Sequence, residues 1–286
     1  MQNYSQLHIY DELGNILQMQ SINTWTRDYI YDTSTNRLLK HDQNQSLPDY
    51  TYYAHGNILT ISHLSDEMQW DWADRVRKIT EKAGDIEERI YLGGYEVYRN
   101  KISGFLDFER QTLHIDDDNK KVAFVETKTF ENGSSISNPV SNIRYQYNNH
   151  LGSACLELDD SASIISYEEF HPFGTTSYRS GSSESEVSLK RYKYVGKERD
   201  EETGLYYYGA RYYASWIGRF VSVDPLQDKY PYYTPYQYAG NKPVTMLDID
   251  GNIHHLCYGK SDEIPTTWNV SRVTRYVSRF SRHASR

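Results

Sequence analysis

Short apolar runs alternate with polar turns at a nearly fixed interval through the first third of the chain, and each turn opens on an aromatic residue. Five such hexads occur: Tyr10-Asp11-Glu12-Leu13-Gly14-Asn15, Tyr31-Asp32-Thr33-Ser34-Thr35-Asn36, Tyr52-Tyr53-Ala54-His55-Gly56-Asn57, Trp70-Asp71-Trp72-Ala73-Asp74-Arg75 and Tyr91-Leu92-Gly93-Gly94-Tyr95-Glu96. Their leading aromatics stand at 10, 31, 52, 70 and 91, so the steps are 21, 21, 18 and 21. A period of that length marks an array whose units are too small to bury an apolar face alone. The runs beside the hexads, such as Asn57-Ile58-Leu59-Thr60-Ile61 and Arg89-Ile90-Tyr91-Leu92, are rich in β-branched and aromatic residues. They predict strands, and the Gly-Asn and Thr-Asn steps predict hairpin turns with positive φ. The expected fold is all-β: repeated hairpins that curl into a spiral sheet.

Composition sharpens this picture. Of 286 residues 28 are Tyr, against 8 Phe and 5 Trp. A ring with a polar tip suits a sheet packed on one face and wet at its rim. The mean hydropathy of −0.79 is low, yet an aromatic share of 14% is foreign to disordered chains. No stretch has the length of a membrane-spanning helix, and residues 1–6 lack a signal-peptide pattern. The chain opens near the start of a repeat, so further repeats are expected to precede it or to come from another chain. Cys155 and Cys257 make no disulfide framework and read as plain thiols. A net charge of −8 and a pI near 5.7 argue against nucleic acid as a partner of the main body.

Turn punctuation thickens from residue 143. Asn149-His150-Leu151-Gly152-Ser153 is followed by Glu168-Glu169-Phe170-His171-Pro172-Phe173-Gly174, and a Ser/Gly/Glu stretch at 181–186 reads as an exposed loop. Then come Tyr194-Val195-Gly196-Lys197-Glu198-Arg199-Asp200 and Thr203-Gly204-Leu205-Tyr206-Tyr207-Tyr208-Gly209-Ala210-Arg211-Tyr212-Tyr213. The run closes on Gly218-Arg219-Phe220-Val221-Ser222-Val223-Asp224-Pro225. With these motifs in order, residues 7 to 252 resemble the Rhs (YD-repeat) family and its repeat-associated core domain. Within that family they are similar to the C components of bacterial insecticidal toxin complexes. The resemblance implies a strip of hairpins wound into a hollow shell and closed by the core as a plug. It divides the chain into repeats at 1–142, a self-cleaving core at 143–252 and a variable tail at 253–286. It also implies a shell-completing partner protein, export to the outside or the cell surface by a dedicated delivery system from a cytoplasmic start, and no cofactor.

Between residues 219 and 252 the chain gathers Asp224, Asp228, Asp248 and Asp250 around two predicted strands, 236–239 and 244–247. Two close carboxylates do not both ionise cheaply, so one keeps a proton as acid while the other activates water. Asp-Pro and Asp-Gly steps are equally good turn formers, and that reading stands beside the catalytic one. The resemblance implies an aspartyl autoprotease with its catalytic roles on Asp224 and Asp248, Arg219 orienting or stabilising charge, and Asp228 a weaker candidate. The implied cut lies between Asn252 and Ile253. Here the chain departs from the family pattern: Ile249 stands where a proline is usual and Asn252 where an apolar residue is usual. Asn252 also admits a second chemistry, backbone scission by cyclisation of its own side chain.

After residue 252 the character changes. Six Lys or Arg stand against Asp262 and Glu263, a net of +4 that leaves −12 for the rest of a chain at −8. Arginines at 272, 275, 279, 282 and 286 share one helical face, and Val270, Val273, Val277 and Phe280 the other. The tail reads as internal cargo able to meet an anionic membrane, as the first helix of an effector, or as a helix docked on the shell. His254, His255 and Cys257 lack the spacing and the fourth ligand of a tetrahedral metal site. The rival to a self-processing toxin carrier is a non-enzymatic scaffold that binds glycan or protein through its Tyr-rich faces.

Overall fold

The computed structural model describes residues 5–21, 24–41, 49–64, 67–71, 74, 76–78, 85–117, 120–182, 190–201, 203–252 and 255–257. Among the described residues two compact units emerge: those within 5–78, 148–155 and 167–257 form the first, and those within 85–147 and 156–166 the second. Both are antiparallel β, and among the described residues the only helical pieces are three-residue 3-10 turns. The amphipathic pattern of the tail falls outside the described residues.

In the first unit the hexads are hairpin turns. β1 (Gln6–Tyr10) pairs with β2 (Ile16–Ser21), which also pairs with β3 (Trp25–Asp28). The next hairpins are β4 (Ile30–Tyr31) with β5 (Leu38–Lys40), β6 (Tyr50–Tyr52) with β7 (Ile58–Ile61), and β8 (Gln69–Trp70) with β9 (Val76–Lys78). Each leading aromatic ends the first strand, and in all four hairpins the register slips at that residue. A bulge of this kind strengthens the local twist and re-aims the side chain. The rings are thereby turned back on the preceding hairpin. Tyr31 Oη donates to Ile16 O at 2.9 Å, Tyr52 Oη to Leu38 O at 2.9 Å and Trp70 Nε1 to Ile58 O at 2.8 Å. The second hexad residue closes the turn from within: Asp11 Oδ1 accepts the amides of Leu13 and Asn15, and Asp32 Oδ1 that of Ser34. Asn15 Nδ2 reaches Asn36 Oδ1, one repeat on, at 2.9 Å.

The fifth hexad behaves differently. Tyr91 and Leu92 end β10 (Asp85–Leu92) at the tip of a long hairpin in the second unit, with Leu92 paired to Tyr95 around Gly93-Gly94. The spacing matched the repeats, but two adjacent glycines make a tight turn instead of the five- or six-residue loops of the other hairpins. From β10 the sheet runs through β11 (Tyr95–Ile102), β12 (Phe105–Asp117), β13 (Lys120–Glu131) and β15 (Ser141–Asn148), with the short β14 (Ser134–Ser135) as a spur on β13. Residues 156–166 add the inner parts of β16 (Ala154–Leu158) and β17 (Ile164–Phe170). Charge is buried here. Arg144 spans Glu126 and Glu157 at 3.6 and 2.9 Å, and Ser166 Oγ donates to Glu157 at 2.7 Å.

The rest of the first unit comprises β18 (Thr176–Gly181), a four-stranded sheet and a terminal hairpin. The sheet is β19 (Glu198–Arg199), β20 (Tyr206–Tyr207), β21 (Tyr212–Ala214) and β22 (Arg219–Phe220); the hairpin is β23 (Met246–Asp248) with β24 (His255–Cys257). Its core joins Ile16, Leu38 and Ile58 of the repeats to Tyr194, Tyr208, Tyr213, Phe220 and Tyr238. A buried phenol must find a partner or lose desolvation energy. These do: Tyr208 and Tyr238 share a hydrogen bond at 2.9 Å, Tyr213 donates to Phe173 O at 2.8 Å, and Tyr194 to Pro172 O at 2.7 Å. The excess of Tyr over Phe is thus a core property as well as a rim property.

Candidate active site

Asp224 follows β22, where Pro225 offers no amide, so Leu226 N is the first donor able to reach back; it meets Asp224 Oδ1 at 2.7 Å. The Asp224 amide donates to Pro235 O at 2.9 Å, which ties the carboxylate to the strand beside it. Asp248 ends β23 and accepts Gly251 N on Oδ1 at 2.7 Å. Gly251 has φ +80°, and a Cβ there would lie 2.9 Å from Arg211 N. Only glycine lets the 248–251 turn approach the Arg211 backbone this closely. Both carboxylates are buried.

Between them lies a guanidinium. Arg211 Nη2 stands 2.5 Å from Asp224 Oδ2 and 3.9 Å from Asp248 Oδ2. Its Nη1 donates to Pro235 O at 3.0 Å, its Nε donates to Gly251 O, and its plane lies 3.7 Å over the Phe220 ring. Lys197 Nζ donates to Ile249 O and sits over Tyr208. Burial pushes Asp248 up to about 7, opposed by Arg211 and the Gly251 amide. Burial also pulls Arg211 down to about 10, so it stays cationic at neutral pH. Lys197 is lowered by burial, against the pull of Asp248 and Asp250. One cation, one carboxylate paired to it and one carboxyl inclined to keep its proton make a nearly neutral buried set. Such a set avoids the heavy cost of an uncompensated buried charge.

The structure thus brings together Asp224 and Asp248 of the expected residues. Arg219 does not share the cluster: it donates to Asn36 O at 2.8 Å and lies between the Tyr31 and Tyr236 rings. Asp228 is exposed in the 3-10 turn Gln227–Lys229, and Asp250 is exposed with Oδ1 accepting Asn252 N at 3.1 Å. Ile253 lies outside the described residues. The expected strand at 236–239 shrinks to one bridge between Arg219 and Gln237. Arg211 and Lys197 were missed. Arg211 did carry a signal, as the one charge in the aromatic run from 205 to 213.

An antiparallel array of hairpins with tyrosine-led turns, joined to a core with paired aspartates, defines an Rhs-type β-repeat protein. The chain is a homologue of the Rhs-type C components of toxin complexes, and so a toxin-related Rhs protein. It is 28% identical to toxin subunit YenC1 of Yersinia entomophaga over 284 residues, covering 87% of this chain and 29% of that subunit. A crystal structure of TcdB2-TccC3 superposes with a TM-score of 0.72 at 28% identity, over 87% of this chain and 14% of that one. The Photorhabdus luminescens Tc holotoxin pore gives 0.73 over 91% of this chain and 14% of its own. The chain therefore spans under a third of the curated relatives it matches. No family model matches it.

Proposed function

We propose that this chain is the self-processing part of an Rhs-type toxin carrier, cutting itself once near residue 252 to free its C-terminal segment. The observation that supports this most is one guanidinium, Arg211, that is ion-paired with Asp224, hydrogen-bonded to the Gly251 carbonyl and, at longer range, facing Asp248. Asp224 takes a proton from water as the oxygen adds to the carbonyl carbon. Arg211 offsets the charge that develops on the carbonyl oxygen. Asp248 gives its proton to the departing nitrogen, the C–N bond breaks, and a new carboxyl and a new amine result. The held carbonyl belongs to the Gly251–Asn252 peptide, one bond before the expected cut at Asn252–Ile253. A shell-completing toxin-complex protein is the proposed partner, the tail the proposed cargo, and export the proposed route.

Intact mass under denaturing conditions tests this for wild type beside Asp224→Asn. A wild-type break at 251/252 or 252/253 that the variant lacks is the expected result. A break that persists in the variant points to Asn252 cyclisation and removes the aspartyl mechanism. Two uncut chains leave a binding scaffold as the better reading.

A further inference from the structure

The stretch that carries Asp224 also carries a set of donors that the proposed chemistry does not use. Phe220 N donates to Tyr236 O at 3.0 Å and Asp224 N to Pro235 O at 2.9 Å, so segments 219–224 and 235–237 run as a side-by-side pair fastened by these bonds and the single Arg219–Gln237 bridge. From this pair and the turn that follows it, three side chains reach three successive hexad turns. Asn241 Nδ2 donates to Gly14 O at 2.7 Å, Arg219 Nη2 to Asn36 O at 2.8 Å and Tyr236 Oη to Gly56 O at 2.6 Å. One backbone bond and one backbone-to-side-chain bond reinforce the third repeat: Ile58 N donates to Val221 O at 2.9 Å, and Val223 N to Asn57 Oδ1 at 3.2 Å.

The fit is close. A Cβ on Gly56 would stand 2.8 Å from Val223 Cγ2 and 2.9 Å from Tyr236 Oη. Arg219 is buried with its guanidinium 4.8 and 5.0 Å from the Tyr31 and Tyr236 ring centres. Tyr31 is itself a hexad leader bonded to the preceding hairpin. The contacts thus meet three successive repeat turns, and Arg219, Val221 and Val223, all within the five residues before Asp224, make three of them.

We infer that Arg219 and Tyr236 are positioning residues: they set the Asp224 segment in register on the second and third repeat turns, so the carboxylate pair assembles only against a folded repeat array. The inference rests on the reading of Asp224 as part of a self-cleaving site. A reacting group displaced by about 1 Å loses on the order of a hundredfold in rate. Tyr236→Phe deletes one oxygen and keeps the ring against Arg219. Gly56→Ala perturbs the same contact from the repeat side, far from Asp224 in sequence.

The test follows cleavage of freshly synthesised chains by denaturing mass between pH 5 and 9, for wild type, Tyr236→Phe, Gly56→Ala, Arg219→Gln and Arg219→Lys. The expected result is cleavage slowed about tenfold or more in the first three variants, partial rescue in Arg219→Lys, and a shifted pH midpoint, because the spacing of Asp224 from Arg211 and Asp248 has changed. An unchanged midpoint and an unchanged rate per folded molecule would overturn the inference, since simple loss of folded chain scales only the amplitude. If wild type is never cut, the autoprotease reading fails and backbone hydrogen exchange decides the register by itself. Faster exchange of the Phe220 and Asp224 amides in Tyr236→Phe and Arg219→Gln, with Ala123 and Arg144 unchanged, then supports it. Unchanged exchange at Phe220 and Asp224 overturns it.

Discussion

At the scale of single residues the site is governed by what burial does to charge. Asp248, raised to about 7, holds its proton at mildly acidic pH and gives it up as the pH passes that value. If it is the acid of the reaction, cleavage falls as pH rises beyond about 7, which a pH series of cleavage rates checks. Arg211→Gln keeps part of the hydrogen bonding but removes the charge beside two buried carboxyls. It is expected to abolish cleavage and to destabilise the chain by about 3–5 kcal/mol, the usual result of breaking a buried pair from one side; mass and urea unfolding read the two effects separately. Asp224 and Asp248 were singled out from four aspartates by the resemblance, since Asp-Pro and Asp-x-x-Gly read equally well as turn formers; what the structure adds is that one guanidinium faces both. Arg211 was not legible, because a lone cation among tyrosines looks like a rim residue until the chain folds over it. Arg219, which the resemblance implied for the site, stands apart from the cluster, because side chains alternate faces along an extended segment and its guanidinium reaches Asn36 O instead.

At the scale of elements the hexad is a device for stacking hairpins. A bulge at the leading aromatic turns the ring onto the previous unit, where its polar tip meets the carbonyl of Ile16, Leu38 or Ile58. Tyr31→Phe and Tyr52→Phe should each cost about 0.5–1.5 kcal/mol, with more if the carbonyl is left dry. The two should add nearly independently unless the ladder couples them, which a double-mutant cycle in urea detects. Strand and turn content here was legible from spacing and residue type alone. The fifth hexad was misread because the period says where a turn falls and not how many residues it takes; Gly93-Gly94 decided that locally.

At the scale of the molecule, each unit solves a different packing problem. The first packs phenols, whose hydroxyls are all spoken for in the cases named above, around the buried Arg211–Asp224 pair, while the second buries ion pairs across its strands without such a phenol cluster among its described residues. Glu157→Ala removes the nearer carboxylate of Arg144 in the second unit, leaves Glu126 at 3.6 Å, and is expected to cost about 1.5–3 kcal/mol. Hydrogen exchange should show that loss in β13 and β15 while the Ile58 and Phe220 amides stay protected. Little of this division was legible, because Arg144 and Glu157 lie 13 residues apart in strands whose alternation reads as one wet face. Composition reports which residues are present and not which partners a sheet register gives them.

The pairing of β24 with β23 bears on what a cut would achieve. Met246, Leu247 and Asp248 lie upstream of residue 252 and their partners Cys257, Leu256 and His255 downstream, so a break near 252 severs the loop of this hairpin and leaves its ladder in place. Hydrolysis would then convert a covalent tether into a bound ligand, whose residence time is set by the peeling of three residue pairs. Scission and departure become separate events with separate rates, and a chain already nicked by mass could still migrate whole under native conditions.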